Sequence, residues 1–361
     1  MAPGTSFCEF IEYYYYHIEG YADISICSVG VILNVFNIVV FTRKNMVSSA
    51  NLIFTHLAVA DLLFLLTSIL YSWIFFFQYM QKDYQKWTYT LAVIYVGSSF
   101  LKNSLRFMCV FFTVMLAIWK YIAVAHPLKA RYWCTMKITR YAVITCYITS
   151  ALLSIPMYFS ANIVPKYSTT EKLSYYSPSH KKNSIMRDIA FFIKAVLQQL
   201  LPSVVLLIFT FRMISALLTK GSNNEPETSC SNIRNNARNA RMKQQTDRSI
   251  IITLTVVVLF LITQIPLGAI NLTEILLPDI YRKLDDLLGL CYSSYVNVIS
   301  SSTFYYINTS VSFFVYYAMS QNFRTTFQSL FSSGRIIPQK MNVFRLISAR
   351  KTHTSPEEDQ A

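Results

Sequence analysis

Charged and amide side chains inside otherwise apolar stretches are the residues of this chain best suited to chemistry. Lys102 and Arg106 are four residues apart, so a helix carries both on one face. Lys194 and Gln198 repeat that spacing, and Gln264, Asn271 and Glu274 cluster around Pro266, where a helix kinks. Arg106 falls more than a turn deeper than Lys102, so the two cannot both reach a headgroup layer. They line a water-filled cavity on one reading and form internal ion pairs on the other. Asp61, in "NLIFTHLAVADLLFLL", is either satisfied by neighbouring hydroxyls or is an ion or proton site. Asn34, and the run "YSSYVNVISSSTFYYINTSVSFFVYY" with Asn308 and Ser312, offer groups that bond across helices for modest gain. Lys120, in "MLAIWKYIAVAHPL", stands near the end of a long apolar run. A catalytic lysine, a membrane-edge anchor and part of a switch are all open at this point.

Soluble enzyme chemistry finds no support in the motifs. There is no H-E-x-x-H, no G-x-S-x-G and no phosphate-cradling glycine loop. Seven cysteines show no C-x-x-C spacing, and five histidines are scattered, so neither zinc nor another metal centre is indicated. No cofactor is called for. Paired broken helices and internal repeats, the marks of a transporter, are missing too.

The elements that position these residues follow from composition. Of 361 residues, 53% are hydrophobic and only 14% charged, where a soluble domain carries about 25% charged. Seven apolar runs, at about 24–42, 50–77, 91–121, 139–161, 189–217, 248–275 and 290–317, each reach the length of ~20 residues that a spanning helix needs. The expected fold is an all-α membrane protein, a seven-transmembrane helix bundle over 24–317. The net charge of +14 would suggest nucleic acid in a soluble protein. Here the cations gather in alternate connections: Arg43 and Lys44, Lys129 to Arg140, Lys220 to Arg248, and Arg324 onward. That bias marks the cytoplasmic side and leaves no nucleic-acid partner to invoke. Residues 1–23, without a signal peptide, are expected outside, and 332–361 form a cytoplasmic tail. Between them, Phe323, Phe327, Leu330 and Phe331 recur at helical spacing within 320–331, a short amphipathic eighth helix lying on membrane lipid.

In order and spacing this pattern resembles the rhodopsin-like G-protein-coupled receptors over about residues 24–331. The matching residues are Asn34, Asp61, "KYIAVAHPL", Pro202, Phe260, Pro266 and Tyr316 before "AMSQNFR". Within that group, "HPLKARYWCT", "FLITQIPLG" and "INTSVSFFVYYAMSQNFR" resemble invertebrate receptors for myosuppressin and other FMRFamide-like peptides. The resemblance implies an extracellular peptide as ligand and a heterotrimeric G protein as partner. It assigns Lys120, Tyr121, Arg248, Phe260, Pro266 and Tyr316 to activation, with Lys120 where relatives carry the Arg of Asp-Arg-Tyr.

The departures are specific. Trp119 replaces the usual acid before Lys120, and lysine lacks arginine's planar fork. Tyr95 takes the position of a disulfide cysteine in relatives, and 162–188 contains no cysteine, so the outer loop is held some other way or is looser. Cys8 and Cys291 could pair. Cys109 stands beside the Asp61 position where relatives bind sodium, and a thiol suits a hard cation poorly. The sequons at Asn271 and Asn308 fall inside helices. No lysine lies between Lys283 and Lys340, so a retinal Schiff base is not expected. A chemosensory receptor of the same fold for a small acidic ligand is the alternative function, because Lys102, Arg106 and Lys194 would suit it.

Overall fold

The computed structural model describes residues 19–81, 88–168, 173–180, 185–222, 254–255, 257–265, 268, 276–277 and 302–331. The helices are α1 (Glu19–Phe41), α2 (Ser49–Gln81), α3 (Tyr89–Ala125), a short α4 (Pro127–Trp133) and α5 (Met136–Ser160). After the strands β1 (Ala161–Ser168) and β2 (Leu173–His180) come α6 (Ile185–Ile193), the π-helical stretch Lys194–Leu200 and α7 (Leu201–Ser222). Residues 257–265 are helical (α8), followed by α9 (Ser302–Met319) and α10 (Gln321–Phe331). Among the described residues, five helices are long and apolar enough to cross a membrane.

Local sequence sets the helix ends. Thr88 accepts from the backbone N–H of Leu91 at 3.3 Å to start α3, and Thr135 does the same for Ile138 at 3.4 Å at the head of α5. Pro127 opens α4, a position where its missing N–H costs nothing. Ser320 accepts from Phe323 N at 3.2 Å to separate α10 from α9.

Outward faces are greasy rather than polar. On α5, Ile144, Ile148, Leu152 and Ile155 form an uncovered stripe at helical spacing, and Val204, Leu207, Ile208 and Phe211 do so on α7. Water would penalise that much bare apolar surface, whereas lipid tails accept it.

Inside, α1 packs on α2 and α9, α2 on α3, and α3 on α5 and α7. One seam draws α1, α2 and α9 together at Gly30. A Cβ there would collide with Ser310 Oγ and come within 2.8 Å of Leu65 Cδ1. The absent side chain lets Asn34 Nδ2 donate to the Gly30 carbonyl at 3.0 Å and to the Thr309 carbonyl at 3.3 Å. Asn37 extends the seam to Asn34 Oδ1 and Ser312 Oγ, at 3.3 and 3.4 Å.

β1 and β2 pair antiparallel, Ala161 opposite His180 and Ser168 opposite Leu173. Pro165 and Pro178 fit because each strand of a two-stranded ribbon has an open edge. The ribbon lies against α3. Ile163 joins Ile74, Leu91, Ala92 and Tyr95 in one apolar cluster, and Tyr89 meets Tyr176 edge-on at 5.4 Å. These contacts pack the cysteine-free loop against α3.

Candidate functional site

α3 runs the length of the bundle and carries cations toward both ends. Near the ribbon, Lys102 Nζ sits 4.4 Å from the Tyr71 ring centroid and 5.2 Å from that of Tyr306. One turn deeper, the Arg106 guanidinium lies 4.6 Å from the Tyr305 centroid and its Nη2 donates to Gln264 Oε1 at 3.3 Å. Tyr71 and Tyr95 stack at 4.8 Å between centroids and share a hydroxyl hydrogen bond of 2.7 Å. Tyrosine faces thus take up part of the charge, each such contact contributing about 0.5–2 kcal/mol depending on desolvation.

A carboxylate joins from α1. Asp23 is buried, accepts from Thr303 Oγ1 at 2.6 Å and Ser72 Oγ at 3.5 Å, and lies within Coulombic reach of Lys102. It connects α1, α2 and α9 to the cation on α3.

The π-helical stretch supplies Gln198, whose Nε2 donates to the Asn103 carbonyl at 3.3 Å. Lys194 opens this wider-wound stretch, four residues before Gln198. Lys194 is half-buried while Gln198 is sealed off. The structure therefore brings Lys102, Arg106, Gln198 and Gln264 into one linked region. Asn271, Glu274, Pro266 and Arg248 lie outside the described residues. Sequence reading alone did not single out Asp23, Tyr71, Asn103, Tyr305 or Tyr306. Only the tyrosine richness of the chain hinted at the aromatic seats.

The intramembrane polar residues divide into two groups. Asn34 and Ser312 belong to the α1–α9 seam, with Asn308 half-buried one residue from Thr309. Asp61 is set apart with the Cys109 thiol, which hydrogen-bonds to its carboxyl and also meets the Tyr305 hydroxyl. A thiol among the described partners of Asp61 does not suit sodium, which prefers a cage of oxygens. Among the described residues no group of three or more His, Cys, Asp or Glu is placed to hold a metal.

At the opposite end, Phe41 stacks on Phe54 at 5.4 Å, and Tyr316 meets both at 5.1 and 5.0 Å. Lys120 Nζ lies 5.9 Å from the Phe54 centroid. Trp119, standing where an acid is usual, donates its indole N–H to Thr139 Oγ1 at 3.0 Å. Tyr121 packs on Phe209 and, with Val124, Met213, Ala216 and Leu254, closes α3, α7 and the start of the sixth run onto one another. Phe260 is buried in a separate cluster with Val110, Ala117 and Leu206. α10 is fastened by Phe327 against Phe36 and Phe313 and by Asn45 Nδ2 donating to Thr326 Oγ1 at 2.7 Å.

Comparison with known proteins gives a consistent picture. The family profile described as serpentine type 7TM GPCR chemoreceptor Srw matches residues 21–334. The chain is 25% identical over 382 residues to the G-protein coupled receptor dmsr-1 of Caenorhabditis elegans, covering 93% of this chain and 71% of that receptor. It is 22% identical over 357 residues to the sex peptide receptor of Drosophila melanogaster, covering 94% and 79%. It is also 22% identical over 316 residues to the FMRFamide receptor of the same fly, covering 85% and 52%.

Proposed function

Because this chain belongs to the Srw family of serpentine seven-transmembrane G-protein-coupled receptors, we propose that it is a neuropeptide receptor of the plasma membrane. Its fold is a multi-pass helical bundle, and as a family member it is a receptor rather than an enzyme. The N-terminus and ribbon face outward in this reading, and the cation-rich connections face the cytosol. The ligand is an amidated peptide of the FMRFamide or myosuppressin type. The observation that carries this is similarity along most of the chain to receptors named for sex peptide and FMRFamide.

The geometry supports a route from ligand to G protein. A peptide entering beside the ribbon meets Lys102 before Arg106 and Gln264, which lie deeper, with Lys194, Gln198, Asn271 and Glu274 as further contacts. Glu274 would pair a peptide arginine by a charge-assisted bond. Gln264 stands two residues before Pro266, so a ligand that disturbs its bond to Arg106 acts beside the kink expected from that proline. Swinging the sixth helix out there would part Leu254 from Tyr121 and Met213 and expose Lys120, Tyr121 and Arg248 to a heterotrimeric G protein. Such a ligand must bind the opened state better than the closed one, by ~1.4 kcal/mol for each tenfold shift.

The test is a panel of amidated neuropeptides on cells expressing the chain with several G-protein sensors. Activation by an RF-amide at submicromolar concentration supports the reading; silence across the panel rejects it. A small acidic ligand is the second reading, favoured by the half-buried Lys102 and the buried Arg106. Carboxylate metabolites activating where peptides do not would select it.

A further inference from the structure

Two polar atoms in the linked region have no hydrogen-bond partner among the described residues: Arg106 Nε and Gln198 Oε1. Arg106 is 8% exposed and Gln198 is 0% exposed. Buried groups without partners are scarce in native proteins and carry a desolvation cost.

The chemical character of each atom is fixed. An arginine Nε only donates. Gln198 cannot relieve its oxygen by turning the amide over. Its nitrogen faces the Asn103 backbone carbonyl at 3.3 Å, a group that only accepts, so a reversed amide would set oxygen against oxygen. One unmet donor and one unmet acceptor remain. Asn103, to which Gln198 is tied, and Arg106 are three residues apart on α3, about 4.5 Å of rise and on one face.

We propose that these two atoms form a seat for an amide group of the ligand. Arg106 Nε donates to the amide carbonyl, and Gln198 Oε1 accepts from the amide N–H. This rests on the peptide-receptor reading and names the part of the peptide that reaches deepest. A carboxylate brings acceptors alone and would leave Gln198 Oε1 facing lone pairs. An amine brings donors alone and would meet a guanidinium. A carboxamide, as at the end of an amidated peptide, offers both. The neighbouring charges already have company: Lys102 has two tyrosine faces and Asp23, and Arg106 has Tyr305 and the Gln264 oxygen. A neutral polar group fits without adding charge. Both atoms are out of solvent contact, so seating an amide requires α3 and the Lys194–Leu200 stretch to part. A ligand that supplies the missing partners favours that parted state.

The experiment compares the tetrapeptide amide Phe-Met-Arg-Phe-NH2 with its free acid on the full-length receptor in cells, wild type and Gln198→Met, with surface labelling to establish folding. Methionine is close in size and removes the acceptor. The amide-to-acid potency ratio is expected to fall about tenfold in Gln198→Met, through loss of amide potency with the acid unchanged. An unchanged ratio overturns the proposal, whether both potencies fall together or neither moves. If neither tetrapeptide activates the wild type, this tetrapeptide is not the ligand, and the peptide assignment is left to the neuropeptide panel above. The seat is then tested by thermal denaturation of purified receptor with millimolar N-acetylphenylalaninamide and N-acetylphenylalanine. Stabilisation by the amide alone, lost in Gln198→Met, upholds it; equal or absent shifts overturn it.

Discussion

Lys102 and Arg106 toward one end of α3, and Lys120 toward the other, stand in aromatic surroundings, yet the company they keep differs. The first two are enmeshed with polar groups from four directions: Asp23 of α1, Tyr71 of α2, Gln264 of α8 and Tyr305 of α9. Lys120 lies over Phe54, and its neighbour Trp119 directs its N–H to Thr139 on α5. A buried charge with many specific partners is sensitive to what replaces them. In the proposed receptor reading the ribbon end discriminates the ligand and the Lys120 end meets the G protein.

Removing Arg106 should break this contrast most severely. Arg106→Ala strips the Tyr305 face and Gln264 of their partner, and a loss of buried polar pairing of about 3 kcal/mol lowers peptide potency by ~100-fold. Dose–response curves normalised to surface receptor test this, with Arg106→Lys retaining the charge but not the Gln264 geometry. Next in size is Gly30→Val. A side chain at that position drives into Ser310 and Leu65, costing about 1–3 kcal/mol, so surface expression should drop several-fold while the survivors bind normally. Trp119→Asp sharpens the comparison from the other end. It gives Lys120 an adjacent carboxylate and removes the Thr139 bond, and basal signalling in an agonist-free G-protein assay should fall about threefold while agonist binding is unaltered. Smallest is Tyr95→Phe, which keeps the stack on Tyr71 but loses the 2.7 Å hydroxyl bond. Peptide potency should fall about two- to fivefold, in keeping with one neutral hydrogen bond.

Much of this was written in the sequence, because membrane solvent leaves strong marks. The bundle was legible from apolar runs and loop cations, and α10 from the spacing of Phe323, Phe327 and Phe331. Lys102 and Arg106 stood out because charge in such runs is rare. Their partners did not. Tyr71, Tyr305 and Tyr306 are ordinary aromatic residues until three helices bring their faces to a cation. Asp23 fell just before the expected start of the first span at 24, yet α1 begins at Glu19 and carries it to Thr303, 280 residues away along the chain. The ribbon escaped notice because "ANIVPKYS" and "LSYYSPSH" each contain a proline, which argues against a strand unless an edge is free. The π-helical winding at Lys194–Leu200 has no periodic signature over seven residues, so nothing in the sequence marks it.

The most direct test of the division of labour along α3 is binding of a labelled RF-amide agonist to membranes carrying Arg106→Ala or Lys120→Ala, alongside G-protein activation in the same cells. Arg106→Ala should raise the dissociation constant by about 100-fold. Lys120→Ala should leave the dissociation constant within about threefold of wild type while signalling efficiency changes markedly. Full binding by Arg106→Ala, or an equal loss in both variants, would contradict the account.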